Sequence, residues 1–241
     1  MTIKEMHYDY KQKLNKIDSQ KFRGLKVPEI DWKLNEAQEL IVKIIAQPRL
    51  NSQVGFEVGQ RTIDDIRTIV LDQKPSEYLV AKVYDESSYI VGLPDDYWFL
   101  AKTKIIASKG DCKNVLLYDS KPVQHDDNSE SSMFDKSSFE WRTANYRFNR
   151  EGIRVFTDTT FIIDKVGLEY LIKPEPMYNA EDWTGGSYKT LNGKVYTGTK
   201  DCGLPEGIHR SIVDLAVMLT ANDLNLPDYQ LKQNKVKIST E

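Results

Sequence analysis

Apolar residues recur at helical spacing through the first part of the chain. Thr2 and Glu5 have the spacing of a capping box, and the same period then runs through two later stretches, 27–48 and 59–71. We therefore predict three N-terminal helices, the second of which ends at Pro48. Their expected buried residues are Ile3, Met6, Tyr10, Leu14 and Ile17; Leu34, Ala37, Leu40, Ile41, Ile44 and Ile45; and Ile63, Ile66 and Val70.

Charged residues on the third predicted helix have the spacing of surface ion pairs. Arg61 precedes Asp65 by four positions, and Asp64 precedes Arg67 by three. Pairs of this kind stabilise a helix by only ~0.2–0.5 kcal/mol each.

The pattern changes to alternation from residue 77 onward. Short alternating stretches, separated by turn residues, predict a series of strands that begins with a hairpin around residues 85–87. The stretch 161–176 begins as a strand and ends with two prolines, which limit further pairing. Asn192-Gly193 lies between two strand-like arms and predicts a second hairpin. The other predicted strands lie within 103–108, 113–123, 139–150 and 153–158.

A polar, acidic segment interrupts the predicted strands, and we expect a long arm over residues 123–138. Met133 and Phe134 are its only large apolar residues apart from Val123. Such a segment has too little to bury to offset its ordering entropy. We therefore expect it to be mobile in a free subunit and to become ordered against a neighbour, with Met133 and Phe134 as anchors.

The chain returns to helical spacing after Pro205, where Ile208, Ile212, Leu215 and Leu219 form an inward stripe. The predicted fold class is therefore α+β: N-terminal helices, a β-rich middle built as an antiparallel sheet or sandwich with a long arm, and a C-terminal helix that packs back on the core. We expect one domain, 1–241, with a helical part (1–73), a β-rich part (74–200) and a C-terminal helix and tail (201–241).

Composition narrows the possible functions. The chain has 241 residues, 40% hydrophobic and 29% charged, with a net charge of -3. These values are typical of a globular protein and argue against a non-specific binder of the phosphate backbone. The sequence contains two cysteines, and it lacks a signal-like N-terminus and an apolar run of membrane length. We therefore expect the chain to fold in a reducing cytoplasm.

Residues 202–224 invite a catalytic interpretation because they contain Cys202, His209 and Asp214. A cysteine nucleophile needs a base within hydrogen-bond reach and a third group that orients the base. Cys202 precedes the predicted helix, and His209 lies beside its apolar stripe, without a partner arrangement that the sequence shows. We interpret this stretch as structural and expect no catalytic residues.

Two other chemical hypotheses come from local composition. The segment containing His125, Asp126, Asp127 and Glu130 could bind a cation, although a solvated acidic loop has the same composition. Arg142 and Arg147 alternate with aromatic residues, as in a nucleic-acid stacking surface, but a half-buried strand has this pattern too. Nucleotide-binding and hydrolase motifs are absent from the sequence. We therefore expect neither a metal site nor a cofactor.

Several blocks in one order resemble virion structural proteins of crAss-like tailed bacteriophages, in particular the ring-forming proteins of the neck and tail barrel. The blocks lie within residues 28–224 and comprise EIDWKLNEAQELIVK, GFEVGQRTIDDIRTIV, GLPDDYWFL, VQHDD, VGLEYLIKPEP and DCGLPEGIHRSIVDLAV. The layout of strands around LPDD between helical ends is also similar to head-to-tail adaptors of short-tailed phages.

The resemblance implies a non-enzymatic virion protein, assembled in the host cytoplasm. It implies a closed ring of identical subunits, typically a dodecamer, below the portal and around the DNA ejection channel, with other ring proteins or the portal as partners and DNA only as passing cargo. Arg61, Asp64, Asp65 and Arg67 would then belong to a packed or interface helix. The alternatives are an adaptor that contacts the portal directly and, from another class, a metal-dependent hydrolase that uses the QHDD segment.

Overall fold

A computed structural model of the chain describes residues 1–15, 24–46, 64–117, 119–123, 135–190 and 192–223. The contacts of the chain divide it into two compact units. The helical unit consists of Met1–Ile69 and Pro174–Glu241, and the sheet unit consists of Val70–Lys173. In sequence, the sheet unit is therefore an insertion within the helical unit. The expectation of a single domain with three successive parts stays a prediction.

Helix α1 spans Ile3–Asn15 and begins with the predicted capping box. The Thr2 amide donates to the Glu5 carboxylate at 2.8 Å, and the Glu5 amide donates to the Thr2 hydroxyl at 3.3 Å. These reciprocal bonds satisfy amides that the first helical turn leaves unpaired. The predicted buried residues of this helix that are described, Ile3, Met6, Tyr10 and Leu14, are buried, whereas Ile17 lies outside the described residues.

Helix α2 spans Val27–Ala46, and its apolar stripe is shorter than the sequence predicts. Its last buried residues are Ile41 and Val42, so the buried stripe ends a turn before the helix does. The prediction that Ile44 is buried is therefore wrong, since its side chain is exposed. Leu40 and Ile45 are half-buried. The apolar residues that are buried in this helix are Val27, Ile30, Leu34, Ala37, Ile41 and Val42.

Helix α3 spans Glu206–Asp223 and packs against both α1 and α2, as the predicted return of a C-terminal helix requires. Ile208, Ile212 and Leu215 are buried as predicted. Leu219 is only half-buried, and the adjacent Thr220 is buried instead. The hydroxyl groups of Thr220 and Tyr10 lie 2.5 Å apart, so a hydrogen bond joins α3 to α1.

Fourteen strands are present in the described residues. In the sheet unit they are β1 (Val70–Asp72), β2 (Leu79–Val80), β3 (Lys82–Asp85), β4 (Ser88–Val91), β5 (Tyr97–Lys109), β6 (Cys112–Leu117), β7 (Asp119–Pro122), β8 (Thr143–Asn149), β9 (Gly152–Phe156) and β10 (Ile162–Ile172). In the helical unit they are β11 (Tyr178–Asn179), β12 (Ser187–Lys189), β13 (Val195–Thr197) and β14 (Thr199–Lys200).

The sheet unit is a β-sandwich with one apolar core. One sheet has the order β1-β10-β5-β6, with β2 also paired to β10, and the other has the order β3-β4-β9-β8-β7. Alternating residues of both sheets point inward and form one cluster, which includes Ile105, Leu168, Val155 and Ile153. All pairs are antiparallel except β7 with β8, which is parallel. The predicted α+β fold is confirmed, with the sandwich as the form of its β-rich middle.

The prediction of a third helix over residues 59–71 is wrong for the second half of that range. Arg67–Ile69 form a short 3₁₀ helix, and the chain then enters β1. In β1, Val70 pairs with Leu171 and Leu71 pairs with Tyr170 of β10. The hydrogen bonds of this ladder replace the local helical preference, because tertiary pairing commonly overrides weak intrinsic propensities.

The predicted hairpin at Asn192-Gly193 is confirmed as the pair β12–β13. Five residues, 190–194, separate the two strands, more than the two-residue turn that Asn-Gly favours. The Thr190 amide donates to the Lys194 carbonyl at 2.9 Å, and the Gly193 amide donates to the Thr190 carbonyl at 2.9 Å. Gly193 has φ +81, a left-handed conformation that a residue without a Cβ adopts readily.

Candidate assembly surfaces

The stretch that invited a catalytic interpretation is built into the entrance of α3. Cys202 is buried, and this burial raises the pKa of its thiol. The Nε2 atom of His209 lies 2.8 Å from the Leu204 carbonyl oxygen, and its Nδ1 atom lies 3.2 Å from the N-terminal amine. Asp214 pairs with Lys13 at 2.9 Å. His209 and Asp214 therefore have separate partners, and these contacts fix the loop and the first turns of the helix.

A buried polar cluster that the sequence analysis missed lies in the helical unit. The Asp31 carboxylate accepts hydrogen bonds from the Tyr188 hydroxyl at 2.6 Å and from the Asn179 amide at 3.1 Å. His7 Nε2 lies 2.7 Å from the same carboxylate. Burial, together with this bond to a carboxylate, raises the pKa of Tyr188. The cluster joins α1, α2, β11 and β12; His7, Asp31 and Asn179 are buried, and Tyr188 is half-buried.

Three polar residues of α2 hold one extended segment by its backbone. Asn35 donates to the Met177 carbonyl at 2.8 Å and accepts from the Met177 amide at 2.9 Å. Asp31 accepts from the Asn179 amide, and Gln38 donates to the Glu175 carbonyl at 3.5 Å. The spacing of these residues, at i, i+4 and i+7, places them on one helix face. This spacing is the feature of the sequence from which a polar face on α2 could have been predicted.

The predicted interface residues that are described lie at the surface of the helical unit. Asp64 and Arg67 form the predicted ion pair at 2.9 Å, and both side chains are exposed. Asp65 is half-buried and lies beside Gly207. Gly207 belongs to the first turn of α3, and the helix dipole favours a carboxylate near that end of a helix. Arg61, Met133 and Phe134 lie outside the described residues, as do His125, Asp126, Asp127 and Glu130. The assembly role of all six proposed interface residues stays a prediction.

The outer strand β3 of the sandwich carries the exposed side chains of Val83 and Tyr84, and Arg154 of β9 lies over the Tyr84 ring; we call Tyr84 and Arg154 the β3 edge surface. Val83 is 72% exposed, and the Arg154 guanidinium lies 4.6 Å from the centre of the Tyr84 ring. Arg154 is held in place by the Asp85 carboxylate and by Ser88, whose hydroxyl accepts from its Nε at 2.9 Å. These bonds lower the conformational freedom of the surface.

A tight turn before β8, residues 138–143, presents Trp141 to solvent, and we call it the Trp141 turn. Trp141 is 83% exposed, the largest fraction of any large apolar side chain in the described residues. The Ser138 and Thr143 backbones close the turn with reciprocal bonds of 3.0 and 2.9 Å. Glu140 pairs with Lys109 at 2.5 Å, and the Phe139 ring packs 5.8 Å from that of Phe161.

The described part of the chain shows neither a metal-binding group nor a spanning helix. Within it, no cluster of three or more His, Cys, Asp or Glu residues is placed to hold a metal ion. None of its helices is long and apolar enough to cross a membrane.

Comparison with known proteins gave one family. A family model described as "Phage tail ring protein 3/4" matches residues 1–227. A search of curated proteins found no match. The matched region includes both compact units up to the end of α3.

Proposed function

Given that the chain belongs to the crAss-like phage tail ring protein 3/4 family, and is thus a structural protein of the virion tail, we propose that it forms a closed ring of identical subunits around the DNA ejection channel. The observation that carries this proposal is the match of the ring-protein family over residues 1–227. The family is a structural one and supports a non-enzymatic role. We propose a dodecamer in the tail barrel or neck, below the portal.

The sheet unit supports a ring in a second way. A closed ring is built from head-to-tail contacts, so each subunit must expose two different surfaces that complement each other. We propose the β3 edge surface and the Trp141 turn as two candidates, which differ in their exposed side chains. Together with residues 61–67 and the arm at 123–138, they are our candidates for subunit contacts.

The acidic character of the chain is compatible with a DNA conduit. The formal net charge is -3, and an acidic wall does not retain phosphates as a basic surface does. DNA would then be cargo rather than a bound ligand. We propose neighbouring ring proteins as the other partners, with assembly in the host cytoplasm before release of the virion.

Electron microscopy of intact virions, with the chain located by its fold, tests the proposal. We expect a dodecameric ring in the barrel or neck, separated from the portal by another protein layer. A ring in direct contact with the portal would instead identify the chain as the head-to-tail adaptor. The proposal would be overturned if the chain were found in the virion as single copies that do not form a ring around the channel.

A further inference from the structure

We propose that the segment after α3, residues 224–241, folds back on its own helical unit and covers the exposed indole of Trp32 with the side chain of Leu226. We call this segment the C-terminal tail. The inference assigns an occupant to a surface of the helical unit. It goes beyond the proposed function and does not depend on it, because it concerns contacts within one chain.

The helical unit leaves apolar side chains partly uncovered near the end of α3, and we call them the Trp32 surface: Trp32 of α2 and Leu219 of α3. Trp32 is 55% exposed, and Leu219 is half-buried. Trp32 directly precedes Lys33 in α2. Leu219 lies one helical turn before Asp223, on the same face of α3. Removal of apolar surface from water is favourable, so a segment that covers these side chains is stabilised there.

The tail begins at this surface because of the position where α3 ends. Asp223, the last residue of α3, pairs with Lys33 at 2.5 Å, and the same ammonium group pairs with Glu36 at 2.8 Å. Pro227 then prevents the helix from continuing, because proline lacks the amide hydrogen and clashes with the preceding turn. The tail therefore starts within the reach of one lysine side chain from α2, at the turn that carries Trp32.

The sequence of the tail provides apolar side chains close to its start. These are Leu224, Leu226, Tyr229 and Leu231. In an extended chain, residues two positions apart point to the same side, so Leu224 and Leu226 can face one surface together. The match of the ring-protein family model runs to residue 227. The matched region thus includes these two leucines as well as α3.

The connection between α3 and Leu226 is short, which favours the chain's own surface over that of a second copy. Leu226 follows Asp223 by three positions, so an extended chain places it at most roughly 10 Å away. This distance corresponds to about two turns of α2. A group on so short a connection has an effective concentration on the order of millimolar at its target. A second copy must instead bind from free solution, so docking within one chain is favoured.

The first test is photocrosslinking from position 32, which identifies the occupant directly. Trp32 is replaced by the photocrosslinker p-benzoylphenylalanine in the full chain, and mass spectrometry identifies the crosslinked peptides. We expect crosslinks within one chain to residues 224–231. An equal mixture of isotope-labelled and unlabelled chains separates these from crosslinks between copies, since only the latter contain both isotopes. Crosslinks to residues 47–63 instead, or crosslinks between copies alone, would overturn the inference.

The control for this test places the same photocrosslinker at Tyr8. Tyr8 is also an exposed aromatic residue of the helical unit, and it lies on α1 near Arg210. Arg210 is several helical turns before Asp223, where the tail begins. We therefore expect no crosslinks from position 8 to the tail. Equal yields of tail crosslinks from positions 8 and 32 would show an unspecific tail and overturn the inference.

The second test measures the undocked fraction of the tail by trypsin cleavage after Lys232. When the tail opens and closes faster than it is cut, the cleavage rate follows the population of the open form. Leu226→Asp removes the apolar contact and should raise this rate roughly tenfold. Asn225→Asp is the matched control, because it adds the same charge at the neighbouring position and removes no apolar side chain. We expect its rate to equal that of wild type, and equal rates for Leu226→Asp and wild type would overturn the inference.

A double variant tests whether Leu226 acts through Trp32. Trp32→Ala should also accelerate cleavage after Lys232, and circular dichroism should show unchanged helicity because this side chain is more than half exposed. If the two residues contact each other, Trp32→Ala combined with Leu226→Asp should be cleaved no faster than the faster single variant. Multiplication of the two accelerations would show separate partners and overturn the inference. Any of these failures leaves the proposed ring standing, since virion microscopy tests the ring separately.

Discussion

The Nε2 atom of His7 lies 2.7 Å from Oδ1 of Asp31, and both side chains are buried between the first two helices of the chain. Asp31 is also the acceptor for Tyr188 and for the Asn179 backbone, so one carboxylate holds three separate parts of the helical unit. A buried carboxylate is costly unless its oxygens are hydrogen-bonded, and here the bonds are supplied by residues far apart in sequence.

Asp31→Ala should therefore destabilise the helical unit strongly. It leaves the Tyr188 hydroxyl, the Asn179 backbone amide and His7 without their acceptor, and each buried polar group left unpaired costs about 1–3 kcal/mol. Urea unfolding followed by helical circular dichroism measures the effect. Glu181→Ala is the control, because it removes an exposed pair with Lys4 at 2.8 Å and should cost far less than Asp31→Ala. Equal midpoints for the two variants would contradict the assigned role of Asp31.

Leu215→Ala and Leu219→Ala should separate the buried and half-buried sides of α3. Leu215 is buried where α3 packs in the helical unit, so its truncation should cost about 2–5 kcal/mol in chemical denaturation. Leu219 is half-buried, and the same truncation there should cost clearly less. A larger loss at Leu219 would mean that the buried face of the helix has been assigned wrongly.

Alkaline pH should destabilise the helical unit through Tyr10. Burial raises the pKa of Tyr10 from 10.0 to about 12. The pKa of Tyr10 is higher in the folded chain than in the unfolded chain. Its contribution to the free energy of unfolding is therefore fully present below pH 10 and is lost as the pH rises from about 10 to about 12. A pKa difference of two units corresponds to about 3 kcal/mol in the free energy of unfolding.

Urea unfolding at pH 9, 10, 11 and 12 measures this loss for wild type, Tyr10→Phe and Tyr8→Phe. Tyr10→Phe should show a smaller decrease in the free energy of unfolding than wild type over this range, because its side chain does not ionise. Tyr8 is exposed, and Tyr8→Phe should follow the wild-type curve. Identical slopes for all three proteins would exclude Tyr10 as a source of the pH dependence.

The two cysteines should differ in reactivity. Cys112 is exposed, whereas Cys202 is buried and burial raises the pKa of its thiol. Since the thiolate is the reactive form, an aromatic disulfide reagent should modify one thiol per native chain at pH 7 and two in denaturant. Cys112→Ala should abolish native labelling, and Cys202→Ala should leave it unchanged. Rapid native labelling of Cys112→Ala would show that the entrance of α3 opens readily.

Local signals were sufficient to predict most of the regular structure. The capping box of Thr2 and Glu5 and the Asp64–Arg67 pair depend on residues three positions apart, and both form as the spacing indicates. The hairpins also depend on residues close in sequence. By contrast, β1 exists because Val70 and Leu71 pair with a strand about a hundred residues later, and no local pattern encodes that pairing.

The candidate surfaces were harder to predict, because exposure depends on the complete fold. Trp141 lies among alternating aromatic residues, and its stretch was interpreted as a strand with one buried face. In the structure that strand begins only at Thr143, so Trp141 belongs to the preceding turn and faces solvent. The His7–Asp31 cluster was missed because each residue was considered without its partner, although His7 has the spacing of the buried stripe of α1.

The placement of the sheet unit within the helical unit affects the order in which the chain is made. Helices α1 and α2 emerge from the ribosome first, but α3, which packs against both, begins only at Glu206. At typical synthesis rates, roughly 10–40 s pass before this partner appears. During that interval the apolar faces of the first helices are without α3, whereas the sandwich, whose first and last strands pair with each other, can complete its own hydrogen-bonded ladders. The nascent chain is therefore expected to mature from its middle outward, and a chaperone would engage its N-terminal helices first.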